Sequence, residues 1–132
     1  MHLDIDSTDS DILEFVETWI DALASGKFSE AYRMTSHDPY YKWTPELIQK
    51  TIEGYGLPEP HPAGPFRITP PAKATGNPTR EVSRTEGVPP GAFAHVLHDL
   101  PLNGEWSDLS VTFRFESVEA GAKAILEEIH VF

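Results

Sequence analysis

Apolar residues recur at helical spacing near the N-terminus and predict an amphipathic helix. The members of this stripe are Ile12, Phe15, Val16, Trp19, Ile20 and Leu23. Asp11, with Glu14 three residues later, resembles a capping box at the start of this helix. Gly26 supplies the left-handed residue that commonly follows the last turn of a helix. A first helix is therefore expected to begin near residue 9 and to end before Gly26.

Two further helices are predicted before residue 57. A short one is expected after Gly26 and stops before Pro39, and its apolar positions are Phe28, Ala31, Tyr32 and Met34. Residues 44–46 (TPE) are typical of an N-cap, a first-turn proline and a first-turn acid. The helix that they begin has apolar positions at Leu47, Ile48, Ile52 and Tyr55. Because Gly54 or Gly56 ends it, residues 9–56 form the predicted helical part.

Residues 57–91 have a different composition, since most of the chain's 12 prolines lie there. Proline cannot donate a hydrogen bond to a sheet, so central strands are not expected in this segment. Short edge or interrupted strands are predicted at residues 66–68, 72–75 and 80–85.

The final segment, residues 92–132, predicts antiparallel strands. Asn103 and Gly104 are typical of a two-residue hairpin turn, which pairs Leu102 with Glu105. If the pairing continues without a bulge, His98 pairs with Leu109. A last strand is predicted over residues 124–132. This register gives an apolar face that carries Val96, Leu109, Val111, Phe113, Phe115, Ile125, Ile129 and Val131. The opposite face, here called the mixed face, carries Phe93, His95, Leu97, Ser110, Thr112, Arg114, Glu116, Leu126, Glu128 and His130.

Helices followed by an antiparallel sheet predict an α+β fold with the helices on one sheet face. Trp19, the segment ALASGKF at residues 22–28 and Ala31-Tyr32 resemble the helical hairpin of the nuclear transport factor 2-like superfamily. The resemblance implies three helices packed on a curved antiparallel sheet that forms an open cone. It also makes Trp19, Tyr32 and Phe113 candidates to line a pocket between helices and sheet. Trp19 is alternatively a packed core residue.

The superfamily includes isomerases and cyclases as well as non-catalytic binding domains. In the isomerases a tyrosine on the first helix donates to the developing oxyanion, and the resemblance places Trp19 at that position. No acid of this chain matches the family's general base, because residues 40–43 read YYKW. The isomerase mechanism is therefore not expected, and no catalytic residue is assigned.

Chain length and composition limit the classes of function that are possible. The 132 residues are expected to form a single domain over 1–132, and the absence of cysteine excludes disulfides and thiolate metal sites. A formal net charge of −11 disfavours nucleic acid as a partner. It either keeps the protein soluble or steers it toward a basic protein. No signal peptide or membrane span is recognised, so a cytoplasmic protein without a membrane partner is expected.

Two groups of residues are candidates for a binding site. Residues 37–43 (HDPYYKW) contain Tyr40, Tyr41 and Trp43, which either anchor this loop or bind a partner. A polar cluster on the mixed face either holds a ligand or performs acid–base chemistry, and its members are His95, Thr112, Arg114, Glu128 and His130. The alternative for that face is a solvated or dimer-forming surface.

No metal site or cofactor is expected. His95 and His98 are three residues apart on a strand and would therefore point to opposite faces. The sequence thus favours a non-catalytic protein-binding domain, for which the resemblance extends to immunity-type inhibitors of a basic toxin. The alternative is a small-molecule enzyme or ligand carrier of the cyclase or isomerase type. A third interpretation is a homodimer that pairs its outer sheet face.

Overall fold

Three helices and a curved, open, five-stranded sheet make up the protein in a computed structural model that describes residues 2–85 and 90–132. The helices are α1 (Asp9–Ala24), α2 (Phe28–Arg33) and α3 (Pro45–Glu53), and a 3₁₀ turn spans Pro71–Lys73. The strands are β1 (Ser36–His37), β2 (Arg80–Arg84), β3 (Ala92–Leu102), β4 (Glu105–Val118) and β5 (Gly121–Val131). Their spatial order is β1-β5-β4-β3-β2. The predicted α+β class is confirmed.

The helix ends follow the predicted local signals, with one correction. The N-cap of α1 is Thr8, and Asp11 is the residue three positions later that completes the capping box, so the prediction of Asp11 as the cap was wrong. Gly26 has φ +75°, as expected of a residue that follows a helix. Thr44 caps α3 by accepting from the Leu47 amide, with Pro45 in the first turn. The apolar stripe of α1 is buried along its whole length.

The hairpin turn is confirmed, because Asn103 and Gly104 have φ of +50° and +92° and Leu102 pairs with Glu105. Beyond the turn the register was wrong by two residues, and His98 pairs with Val111 instead of Leu109. An irregularity between Asp99 and Pro101 shifts the pairing. A shift of two residues keeps every side chain on its predicted face, because the strand period is two.

A second irregularity lies between Thr112 and Phe113 of β4, and it changes the sheet face on which part of β5 was predicted to place its side chains. It leaves Glu127 as an extra residue, so Leu126 pairs with Phe113 and Ile125 pairs with Arg114. These two residues therefore exchange the faces predicted for them, because one inserted residue reverses the alternation. Near the start of β3 another irregularity leaves Phe93, which was predicted on the mixed face, in the buried core.

The sheet is mixed rather than purely antiparallel, because β1 runs parallel to β5. In the proline-rich segment, only the predicted strand at residues 80–85 forms, as β2. Residues 66–68 contribute one bridge, from Ile68 to Leu102, and residues 72–75 form the 3₁₀ turn plus a bridge from Thr75 to Glu105. Pro70 and Pro71 lack amide protons, so the backbone pairing made by Arg67 and Thr69 does not continue through residues 70 and 71.

The core lies between α1 and the apolar sheet face. Trp19 and Phe113 are both 0% exposed, and their rings meet edge to face with centroids 5.1 Å apart. Arg80 and Arg84 of β2 tie the sheet to α1 through ion pairs with Glu17 at 2.7 Å and Asp9 at 2.6 Å. Within the described residues, no helix has the length and apolar character needed to cross a bilayer.

One histidine is part of this core. His98 is 0% exposed, and its Nδ1 lies 2.7 Å from the Asp99 carbonyl oxygen, which can only accept. The neutral ring must therefore carry its proton on Nδ1. Its Nε2 has no hydrogen-bond partner among the described residues. Burial lowers the pKa of His98 below its ordinary value, an effect that the Asp99 carbonyl and Glu17 only partly offset.

This burial makes a pH-dependent loss of stability an expected result. As the pH falls below about 6.5, the unfolded chain protonates His98 before the folded chain does, so the free energy of unfolding falls with pH. The contribution is at most about 1.4 kcal/mol per pH unit. His98→Asn keeps a donor for the Asp99 carbonyl and removes the titration. Urea unfolding between about pH 7.5 and 5 should therefore give a flatter pH slope for this variant.

His130→Asn serves as the control, because His130 is exposed and has no such burial. Its pH slope should equal that of the unmodified protein. Equal slopes for His98→Asn and the unmodified protein would contradict the role assigned to His98.

Candidate functional site

A cleft of about 390 Å³ opens on the mixed face of the sheet, on the side away from α1. We call it the mixed-face cleft. Strands β2 to β5 form its floor, and the loop that follows β1 forms one wall. The described residues that line it are Asp38, Tyr41, Glu81, Ser83, His95, Val96, Leu97, Thr112, Glu127 and Glu128.

The observed register brings the predicted polar cluster onto one face. His95 pairs with Arg114, Thr112 pairs with Glu128, and Ser110 pairs with His130. The Thr112 hydroxyl accepts from the Glu128 amide at 3.1 Å. His95, Thr112 and Glu128 line the cleft, Arg114 lies beside it, and His130 borders a neighbouring groove.

Arg114 is held by carboxylates from three elements. Its Nε lies 2.8 Å from Glu116, and its Nη1 lies 2.9 Å from Glu127 and 3.7 Å from Asp38. Burial alone would lower the pKa of Arg114, but the hydrogen bonds and negative charges of Glu116 and Glu127 outweigh it, so the pKa is raised. The side chain is only 16% exposed. Arg114 therefore organises the acidic residues beside the cleft and is not open to an anionic ligand.

The HDPYYKW loop forms the wall of the cleft. The Asp38 amide donates to the Leu126 carbonyl at 3.0 Å, and the Trp43 indole donates to the Glu127 carbonyl at 2.9 Å. Trp43 is 7% exposed, whereas Tyr40 is 81% exposed. Of the three aromatics proposed for partner binding, Trp43 thus anchors the loop, and Tyr40 is the one that is freely accessible.

Tyr41 is intermediate in exposure between Trp43 and Tyr40. Its hydroxyl donates a hydrogen bond to a carboxylate oxygen of Glu128. This hydrogen bond, with smaller effects of desolvation and of the charges of Glu128 and Asp38, raises the pKa of Tyr41 to about 12. The phenol is therefore protonated at neutral pH and offers the cleft a fixed aromatic wall.

The residues proposed to line a pocket between helices and sheet lie elsewhere. Trp19 and Phe113 fill the core, and neither borders the mixed-face cleft. Tyr32 is half-buried and stacks on the His37 ring with centroids 3.9 Å apart. Trp19 and Phe113 are therefore packed core residues and not the lining of an open pocket.

The cleft is acidic. Asp38, Glu81, Glu127 and Glu128 contribute four carboxylates, and the described lining contains neither lysine nor arginine. The potential cation within it is His95, whose Nδ1 lies 3.9 Å from a carboxylate oxygen of Glu127.

Sequence reasoning missed four of the lining side chains that carry polar groups: Asp38, Glu81, Ser83 and Glu127. Asp38 lies in the HDPYYKW loop, where the sequence pattern singled out the aromatic residues as binding candidates. Glu81 and Ser83 reach the cleft because β2 pairs with β3, and Glu127 reaches it because of the β5 irregularity. A regular alternation carries no signal for either event.

His95 and His98 point to opposite faces, as the strand alternation predicted. Among residues 2–85 and 90–132, no group of three or more histidine, cysteine or acidic side chains is arranged to hold a metal ion.

Comparisons with protein-family models, with curated proteins and with solved structures gave no match to this chain.

Proposed function

We propose that this chain is a non-catalytic protein-binding domain whose mixed-face cleft receives a basic segment of a partner protein. The observation that carries the proposal is the lining of the cleft, in which four carboxylates converge and the described residues include no lysine or arginine. A guanidinium or ammonium group placed there would make charge-assisted hydrogen bonds, which are stronger than neutral ones.

Three of the four carboxylates of the cleft are held in place before any partner arrives. Glu127 is bound by Arg114, Glu128 accepts from Tyr41, and Arg114 also contacts Asp38. A preorganised site loses less conformational entropy on binding than a flexible one. The net charge of −11 would add long-range attraction to a basic partner and raise the association rate.

Membership of the nuclear transport factor 2-like superfamily is part of this proposal. Its support is the helical hairpin around Gly26, with Trp19 and Tyr32 on either side, together with three helices on a curved sheet. Immunity-type inhibitors of basic toxins are the members whose partner chemistry agrees best with an acidic cleft. The packing of Trp19 against Phe113 in the core favours this class over enzymes in which these two residues would line a substrate pocket.

A second candidate function is small-molecule catalysis in the same cleft. It is favoured by His95, which is partly exposed and lies 3.9 Å from Glu127, an arrangement in which a carboxylate can orient an imidazole base. Turnover of a small cationic substrate that is lost in His95→Gln, while the fold and peptide binding survive, would select this function over the first.

The binding proposal predicts that removing negative charge inside the cleft weakens the binding of a basic peptide more than removing negative charge elsewhere on the protein. The probe is a fluorescein-labelled hexa-arginine peptide, measured by fluorescence anisotropy. Glu81→Gln with Glu128→Gln removes two cleft charges, and we expect the dissociation constant to rise about tenfold. Raising the salt from about 50 to about 300 mM should weaken binding by the unmodified protein and reduce the difference between the two proteins.

Glu105→Gln with Glu119→Gln is the matched control, because both residues are exposed, border no part of the cleft and change the net charge equally. This variant should bind within about twofold of the unmodified protein. An equal loss in both double variants would show that the peptide responds to net charge alone, and the cleft would not be the site.

A further inference from the structure

A second concavity adjoins the mixed-face cleft across one shared wall. This groove, of about 230 Å³, lies between α3 and β5 and is here called the aromatic groove. The residues that line it are Tyr41, Trp43, Leu47, Thr51, Gly56, Pro58, Glu128, Ile129 and His130. Tyr41 and Glu128 line both concavities, so their hydrogen-bonded pair is the ridge between them.

The two concavities differ in chemistry. The cleft presents four carboxylates, whereas the groove presents the Trp43 ring, the Leu47 side chain and the Pro58 ring. The groove also has a firm base, because Trp43, Thr51 and Ile129 are 7%, 4% and 4% exposed. A preformed apolar pocket beside convergent polar groups is the usual construction of a specific binding site.

The sheet places the groove relative to the shared ridge. Glu128 lies on the ridge and lines both concavities, whereas His130, two residues further along β5, borders only the groove. Two residues of a strand span about 7 Å, and an extended peptide presents alternate side chains on one side at the same spacing. An extended segment that crosses the ridge can therefore place one side chain in each concavity, with an intervening residue over the ridge.

We infer that the partner segment is an extended peptide that places a basic side chain in the mixed-face cleft and an apolar side chain, two residues away, in the aromatic groove. This inference rests on the proposed function and adds the spacing and the second side chain. The Tyr41–Glu128 ridge separates the two side chains, and the small residue between them passes over the ridge. Charge complementarity selects a basic residue for the cleft, and the apolar wall of the groove selects an aliphatic or aromatic residue for the second position.

The test compares three peptides by chemical-shift titration of the ¹⁵N-labelled protein. They are acetyl-Arg-Gly-Leu-amide, acetyl-Arg-Gly-Gly-amide and acetyl-Gln-Gly-Leu-amide. We expect the first peptide to bind about tenfold more tightly than either of the others, because it alone fills both concavities. It should shift the amide signals of His95 and Thr112 in the cleft together with those of Thr51 and Ile129 in the groove.

Leu47→Ala should weaken the Arg-Gly-Leu peptide severalfold and leave the Arg-Gly-Gly peptide unchanged, since Leu47 borders only the groove. Leu13→Ala is the matched control, because Leu13 is also half-buried but borders neither concavity. It should leave the affinities of both peptides unchanged.

The outcomes separate this inference from the proposed function. Equal binding of the two arginine peptides, with weaker binding of the glutamine peptide, would overturn the groove and preserve the basic site. Equal binding of the Arg-Gly-Leu and Gln-Gly-Leu peptides would overturn the basic site itself. The absence of binding by all three peptides would also overturn it. Binding of phenethylamine as tightly as the Arg-Gly-Leu peptide would show that the occupant is a small amine and not a peptide.

Discussion

Trp19→Ala is expected to lower the free energy of unfolding by about 3–5 kcal/mol, the largest loss predicted for this protein. The side chain is 0% exposed, and its ring packs edge to face on Phe113. The indole nitrogen has no hydrogen-bond partner among the described residues, so the loss comes from packing and from the cavity left behind. Trp19→Phe keeps an aromatic ring and should lose less. Urea denaturation at neutral pH measures both variants.

Tyr40→Ala is the control for this prediction, because Tyr40 is 81% exposed and its truncation should change stability by less than about 0.5 kcal/mol. A Trp19→Ala protein with unchanged stability but lost affinity for a small ligand would contradict the core assignment. That result would instead support the pocket between helices and sheet that the resemblance implied.

Arg114→Met is expected to cost about 2–3 kcal/mol at neutral pH, the second largest effect. The substitution keeps an apolar stem of similar length and removes the charge that Glu116, Glu127 and Asp38 share. These carboxylates would then repel one another in a partly buried site. Because this repulsion requires ionised carboxylates, the stability difference between the variant and the unmodified protein should shrink in acid.

Arg84→Met provides the comparison, because Arg84 pairs with Asp9 at 2.6 Å but is 42% exposed. Exposed ion pairs contribute about 0–1 kcal/mol, so this variant should be only slightly destabilised. Equal losses in the two variants, or a loss for Arg114→Met that does not change with pH, would contradict the role of Arg114 as the organiser of the acidic residues.

Local signals predicted the helices and the hairpin turn well. The stripe from Ile12 to Leu23, the Thr44 cap and the Asn103-Gly104 turn each depend on interactions within a few residues. The strand register was harder, because the irregularities near Asp99, Thr112 and Ala92 are settled by packing across the sheet. Side chains adapt to them, as when the Ser110 hydroxyl donates to the Asp99 carboxylate at 2.8 Å.

The candidate site was predicted in two separate pieces. The polar cluster of His95, Thr112 and Glu128 and the loop with Tyr41 were each noted, but nothing in the sequence connected them. Their meeting depends on β1, a two-residue strand that pairs with β5 in parallel and brings residue 38 against the sheet. So short a strand carries no periodic signal, which is why a fully antiparallel sheet was expected.

The sequence by itself determined the three helices, the strands β3 to β5, the faces of α1 and β4, the turn at Asn103 and the acidic character of the surface. These follow from periodicity, backbone preference and net charge, which are properties of neighbouring residues or of composition. The tertiary structure alone decided that Glu127 faces the cleft, that Trp43 is an anchor and that Tyr41 meets Glu128. Each of these joins residues far apart in the chain, and their positions depend on one extra residue in β5 and on one short parallel strand. Close packing selects those features only when the whole sheet has formed.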